Sequence, residues 1–196
     1  MKKLFVLAAV LLFVCSAKAQ SDITIGPKVG LNVTNISNID HSKNKISINL
    51  GGFAEWRVND FFALQPELLY SRQGYRTKND GVKGKFRVNY LNIPVLAKLY
   101  VLDELSVDLG PQLGFALNGK SKLKDGGHTA TEKFKHLNTV ELSFAIGVSY
   151  NFDDLMFSAR YNVGLSNVVD KDYLDLGNNK NHVFQLSVGY RFSGLF

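Results

Sequence analysis

From Ile23 to Phe192 the chain alternates apolar and polar residues with a period of two, segment after segment. The first segment carries Ile23, Ile25, Pro27, Val29, Leu31 and Val33 against Thr24, Gly26, Lys28, Gly30 and Asn32. A later one sets Val140, Leu142, Phe144, Ile146, Val148 and Tyr150 against Glu141, Ser143, Ala145, Gly147 and Ser149. Side chains on a strand point alternately to opposite faces, so each such segment is a strand with one apolar side. Further segments begin near Ile46, Phe62, Ser106, Leu155 and Phe184. Another, Val88–Tyr100, is less clean, with Leu91, Ile93, Val95, Ala97 and Leu99 on one face. The pattern predicts eight strands.

The connections alternate in length. Asn59–Asp60, Leu102–Glu104 and Asn151–Asp154 are predicted as tight turns, and 34–45, 76–87, 118–138 and 167–181 as long loops. Short turns at one end and long loops at the other predict an all-β, eight-stranded antiparallel up-and-down barrel of the outer-membrane type, with periplasmic turns and extracellular loops. No stretch after Ala19 has the roughly 18 consecutive apolar residues of a spanning helix.

A soluble barrel with a greasy interior also alternates. The polar face separates the two. It is rich in Gly, Ser and Ala, and its charges are few and mixed: Lys28, Arg57, Lys98, Arg160 and Arg191 against Glu55, Glu67, Asp108 and Glu141. A water-facing surface carries many more long polar side chains. An eight-stranded barrel has an interior that side chains fill, so these nine residues are expected to form a structural ion-pair network along the axis. The apolar face then meets lipid. Trp56, Phe62, Tyr70, Tyr100, Tyr150 and Tyr190 recur near strand ends, as an interfacial girdle requires. Tyr190, Phe192 and Phe196 form a final aromatic register, expected to be read by the outer-membrane assembly machinery.

Ahead of the strands, Lys2 and Lys3 precede an unbroken apolar run of 11 residues, Leu4–Val14, and small residues Ala17 and Ala19 flank Lys18. This is the layout of a secretory signal cleaved after Ala19, leaving residues 20–196 as one barrel domain. The only cysteine, Cys15, leaves with the leader, so the mature chain has no disulfide and no cysteine-ligated metal. Formal charge is +6, and the loss of Lys2, Lys3 and Lys18 lowers it to +3, too mild to argue for nucleic acid. Hydrophobic residues at 45% exclude wholesale disorder.

Base is concentrated in the long connections. Arg76, Lys78, Lys83, Lys85 and Arg87, then Lys120, Lys122 and Lys124, are expected beside an outer leaflet rich in lipid phosphate. Arg72 occupies the apolar register at the loop end of its strand. Outer-membrane lipid and lipopolysaccharide, or a protein partner at the loops, are the partners this predicts.

Three segments carry a family resemblance: Leu64-Gln-Pro-Glu-Leu-Leu-Tyr70, Tyr90-Leu-Asn-Ile-Pro-Val-Leu96 continuing to Lys98, and Tyr161-Asn-Val-Gly-Leu-Ser-Asn167. Together they resemble the outer-membrane β-barrel family of Bacteroidetes that includes the PorT-like proteins. The resemblance implies an eight-stranded outer-membrane barrel with no catalytic residues; PorT itself is associated with protein secretion. His41, His128, His136 and His182 show no metal-ligand spacing, and no G-x-S-x-G occurs. Ser187 and His182 start on opposite faces of one strand. No cofactor and no enzymatic activity are expected. The leading expectation is a structural or interaction protein; a narrow pore, a PorT-like secretion factor, a soluble periplasmic lipid carrier and a lipid-modifying enzyme are the alternatives.

Overall fold

The computed structural model describes residues 23–37, 42–79, 82–125, 128–134, 139–167 and 180–192. The proposed leader and Phe196 lie outside these residues. Among the described residues eleven strands are present: β1 Ile23–Ile36, β2 Ser42–Lys43, β3 Lys45–Arg57, β4 Phe62–Gln73, β5 Arg76–Asn79, β6 Val82–Tyr100, β7 Leu105–Asp125, β8 His128–Phe134, β9 Val140–Phe152, β10 Leu155–Asn167 and β11 Lys180–Tyr190. Eight form a closed antiparallel ring in the order β6-β4-β3-β1-β11-β10-β9-β7, which the β6–β7 pairing closes. The first and last strands meet along Lys28↔Gly189 to Ile36↔Asn181. Closure leaves no unpaired edge in the wall, the condition for backbone to lie in lipid.

The tight ends follow from local chemistry. Asn59 Oδ1 accepts bonds from the amides of Phe61 and Phe62, closing the β3–β4 turn. Phe152 pairs with Leu155, so Asp153 and Asp154 alone make the β9–β10 turn, and Asp153 adopts φ 48° there. Asp tolerates that left-handed conformation better than most residues. Where strands crowd, side chains give way to hydrogen: a Cβ on Gly26 would run into the carbonyl oxygen of Tyr190.

The other end differs from the expected loops. Much of 76–87 and 118–138 is hydrogen-bonded sheet. β6 and β7 run past the wall as a long hairpin, paired from Lys83↔Lys124 downward, with β5 and β8 on its flanks. Gly74 bends the chain between β4 and β5 at φ 125°. The alternation is disguised there because both faces carry polar residues.

The facing follows the alternation. Ile48 and Phe144 are 50% and 42% exposed, whereas Glu67 and Arg160 are 3% and 2% exposed inside the barrel. Val88–Tyr100 turns Leu91, Ile93, Val95 and Leu99 outward and Tyr90, Asn92, Leu96 and Lys98 inward. One girdle residue is corrected. Tyr100 shares the parity of Lys98 and lies buried in the lumen, where its hydroxyl donates to Glu55 at 2.6 Å. Among the described residues no helix is long and apolar enough to cross a membrane; the crossing is made by strands.

Candidate functional site: a filled lumen and a basic outer sheet

Two groups of charged side chains stand out, on opposite faces of the wall. Inside, Glu67 on β4 accepts a two-pronged bond from Arg160 on β10, at 3.0 and 2.9 Å. It also accepts from Lys28 Nζ at 2.9 Å and from Gln65 at 2.6 Å. Three strands spread around the barrel are thereby tied across its axis. A carboxylate with this many donors offsets the large cost of burying two cations.

Toward the short turns, Lys98 donates to Glu55 at 2.9 Å and to Gln65 at 3.0 Å. Arg57 stacks on the Tyr100 ring, 4.2 Å from its centroid, and reaches the Asp60 carbonyl. Toward the long connections, Asn49 donates to Asn32 and Asn32 to Ser71, at 2.7 and 2.9 Å. Above them Asn181 donates to Gln73 and to both oxygens of Glu141.

The structure thus brings Lys28, Glu55, Glu67, Lys98 and Arg160 into ion pairs. Asp108 accepts instead from the hydroxyls of Ser106 and Ser149, and Glu141 from Asn181. Arg57 and Arg191 sit half-buried near the short-turn end. Lys45, read from sequence as the end of a loop, is a buried member of the lumen, with Nζ donating to the Gln73 carbonyl at 2.5 Å. Its signal was available: it continues the inward register of Ser47 and Asn49. Tyr190 and Phe192 are exposed and pack edge to face at 4.9 Å.

Outside, β5, β6 and β7 carry a basic array. Arg76 is opposite Lys85, and Lys85 is opposite Lys122; one step down, Arg87 is opposite Lys120. Lys83 holds a register position opposite both Lys78 and Lys124. Arg72 lies opposite Asn89 and donates to its side-chain oxygen at 3.3 Å. Cross-strand neighbours share a face, so Arg72, Arg76, Lys85, Arg87, Lys120 and Lys122 share one. It is the outer face, since the alternate residues Phe86 and Val88 are buried. A register shift between Asn89 and Tyr90 puts an extra residue into β7, so Lys120 and Lys122 beyond it join the outward face. The Lys85 ammonium is held below the ordinary lysine range, first by desolvation and then by Arg76, Arg87, Lys122 and Arg72.

Among the described residues no catalytic constellation is assembled around His182. His182 stacks on Tyr161 on the outer face, while Ser187 points into the lumen and receives a bond from Gln185. Among the described residues no cluster of His, Cys, Asp or Glu could hold a metal ion.

Residues 18–170 match the family model described as outer membrane protein beta-barrel domain. No curated protein sequence matches the chain. Among solved structures the chain is similar to Ail, the attachment invasion locus protein of Yersinia pestis, at 17% identity. That match covers 87% of this chain and 99% of Ail, with a TM-score of 0.53. The neisserial surface protein A gives 14% identity over 87% of this chain and 97% of that one, at a TM-score of 0.49. The closed ring, the outward apolar belt and the match over most of its length lead to one conclusion: the chain belongs to the outer membrane β-barrel family.

Proposed function

We propose that this is a sealed, non-catalytic barrel that works as an interaction protein, through the basic sheet it holds outside the outer membrane. The observation that carries the reading is the lumen. Lys28, Glu67 and Arg160 close the axis from three strands, with Lys98 and Glu55 below them and Asn32, Asn49 and Ser71 above. Water-filled channels are typical of about 16–18 strands, whereas eight leave an interior that side chains fill. The narrow-pore alternative therefore requires the buried network to part. Planar-bilayer recording of the refolded protein decides between them. The sealed reading predicts no steady openings, and stable ohmic channels would overturn it.

The finer placement beside PorT-like proteins of Bacteroidetes rests on the three segments quoted above. They supply Glu67, Lys98 and Asn162 to the lumen, so the motif residues serve the plug. A secretion role would show as loss of exported proteins in a deletion strain. Export of the chain itself predicts a mature N-terminus at Gln20, readable by mass spectrometry of purified outer membranes. Tyr190 and Phe192, with Phe196 beyond the described residues, are the proposed contact for the assembly machinery.

A further inference from the structure

The outer face of β5–β7 is built from like charges in register, and among the described residues nothing neutralises it. Arg76, Lys85 and Lys122 stand in one row across three strands, with Arg87 and Lys120 in the next and Arg72 below. Every ion pair found among the described residues lies in the lumen, so none of these six has an ion-pair partner among those residues. On the neighbouring strand, Thr131 is opposite Lys122. Like charges placed directly opposite destabilise a sheet, and here they are fixed on paired strands rather than spread over loops that can swing apart.

Height and facing decide what an occupant has to be. On β4 and β6 the array continues the lipid-facing register without a break: Leu68, Tyr70 and Arg72 on β4, and Ile93, Leu91, Asn89 and Arg87 on β6. Below Arg72 the face is apolar, and above it the face is basic. The cations sit where hydrocarbon gives way to headgroup. Adjacent strands are about 4.8 Å apart and alternate residues about 6.7 Å, so the array is a grid of charges at the scale of neighbouring phosphate groups. Arg and Lys together supply forked and point donors to phosphate oxygens.

We propose that this grid is a binding site for a phosphorylated glycolipid of the surrounding outer leaflet, held by its headgroup phosphates against Arg72, Arg76, Lys85, Arg87, Lys120 and Lys122. The site deepens the interaction reading and rests on its assignment of the long-connection end as external. A soluble polyanion would be served equally by cations on the loop tips or the rim. The continuity with the apolar belt favours a ligand anchored in the membrane. The lowered proton affinity of Lys85 agrees with a grid that is short of counter-charge.

The test uses the whole refolded barrel in phosphatidylcholine nanodiscs doped with either bisphosphorylated lipid A or the same glycolipid stripped of both phosphates. Glycolipid retained per barrel after detergent exchange is read by mass spectrometry. The wild type is expected to retain the phosphorylated form several-fold over the stripped form, and less of it as salt rises. The combined variant Arg76→Gln, Lys85→Gln, Lys122→Gln should lose the preference, while Lys85→Arg with Lys122→Arg should keep it. Heat-dependent gel mobility checks that each variant is folded. Equal retention of the two glycolipids by the wild type, or an undiminished preference in the folded triple-Gln variant, overturns the proposal. If the triple-Gln variant does not fold, the wild-type salt series decides: retention indifferent to salt rejects the site. Binding of inositol hexakisphosphate by the wild type without any glycolipid preference assigns the grid to soluble polyanions and rejects the lipid. Conductance recorded on the same preparation reports the sealed-lumen reading separately, and neither result bears on the other.

Discussion

The barrel treats its cations in two opposite ways. In the lumen Arg160 and Lys28 share one carboxylate, Glu67, and Lys98 has Glu55. On the outer sheet Arg76, Lys85 and Lys122 face one another with no acid in their register. The lumen group carries its own counter-charge and ties strands together, so it is explained by the fold. The outer group costs the isolated fold some stability, which is the ground on which an occupant from outside the chain is proposed. Charge alone marks neither function; what separates them is whether the counter-charge is built in.

The largest effect should come from removing the shared carboxylate. Glu67→Ala strands two buried cations and is expected to cost about 3–5 kcal/mol or to block folding. Urea unfolding in detergent or vesicles measures it. Replacing Lys28, Glu67 and Arg160 together with Met, Leu and Met should recover most of that loss, because a buried ion group is often matched by apolar residues of similar volume. Arg160→Ala alone should cost less than Glu67→Ala, since Lys28 remains on the carboxylate; an unchanged midpoint would contradict its inward role.

Tyr100→Phe is expected to cost about 1–3 kcal/mol by taking a buried donor from Glu55. No change would place the hydroxyl in solvent, as the girdle reading had it. The smallest effect belongs to the outer sheet. Lys85→Gln should stay within about 0.5 kcal/mol of wild type, neutral or slightly stabilising at low salt, with the difference fading as salt screens the grid. A marked destabilisation would show that Lys85 has an acidic partner after all, and would erase the contrast.

Much of the barrel was legible in the sequence because a half-buried strand writes its facing into every second residue. Glu67 and Arg160 could be placed inside from their neighbours alone, since Leu68 and Tyr161 flank them with apolar parity. Partners were less legible. That Glu67 meets Arg160, 93 residues away, depends on strand order and register around a closed ring, whereas Asp108 ends on two serines. Tyr100 was misplaced because an aromatic at a strand end fits a girdle or a lumen equally well, and only parity distinguishes them. The outer grid was the least legible. By unbroken alternation from Leu113, Lys120 and Lys122 would fall on the lumen side. The extra residue in β7 reverses them, and no residue type announces that bulge. The strands beyond the wall read as loops in the sequence because water on both sides removes the apolar signal.

The central claim is the facing: apolar side chains in lipid around a closed polar core. The most direct test is fluorescence of Phe144→Trp in a Trp56→Phe background, reconstituted in vesicles whose acyl chains are brominated near mid-depth. Position 144 is exposed on the outer wall, so the tryptophan is predicted to be strongly quenched by the brominated chains and protected from aqueous iodide. Emission untouched by bromine but quenched by iodide would contradict the account.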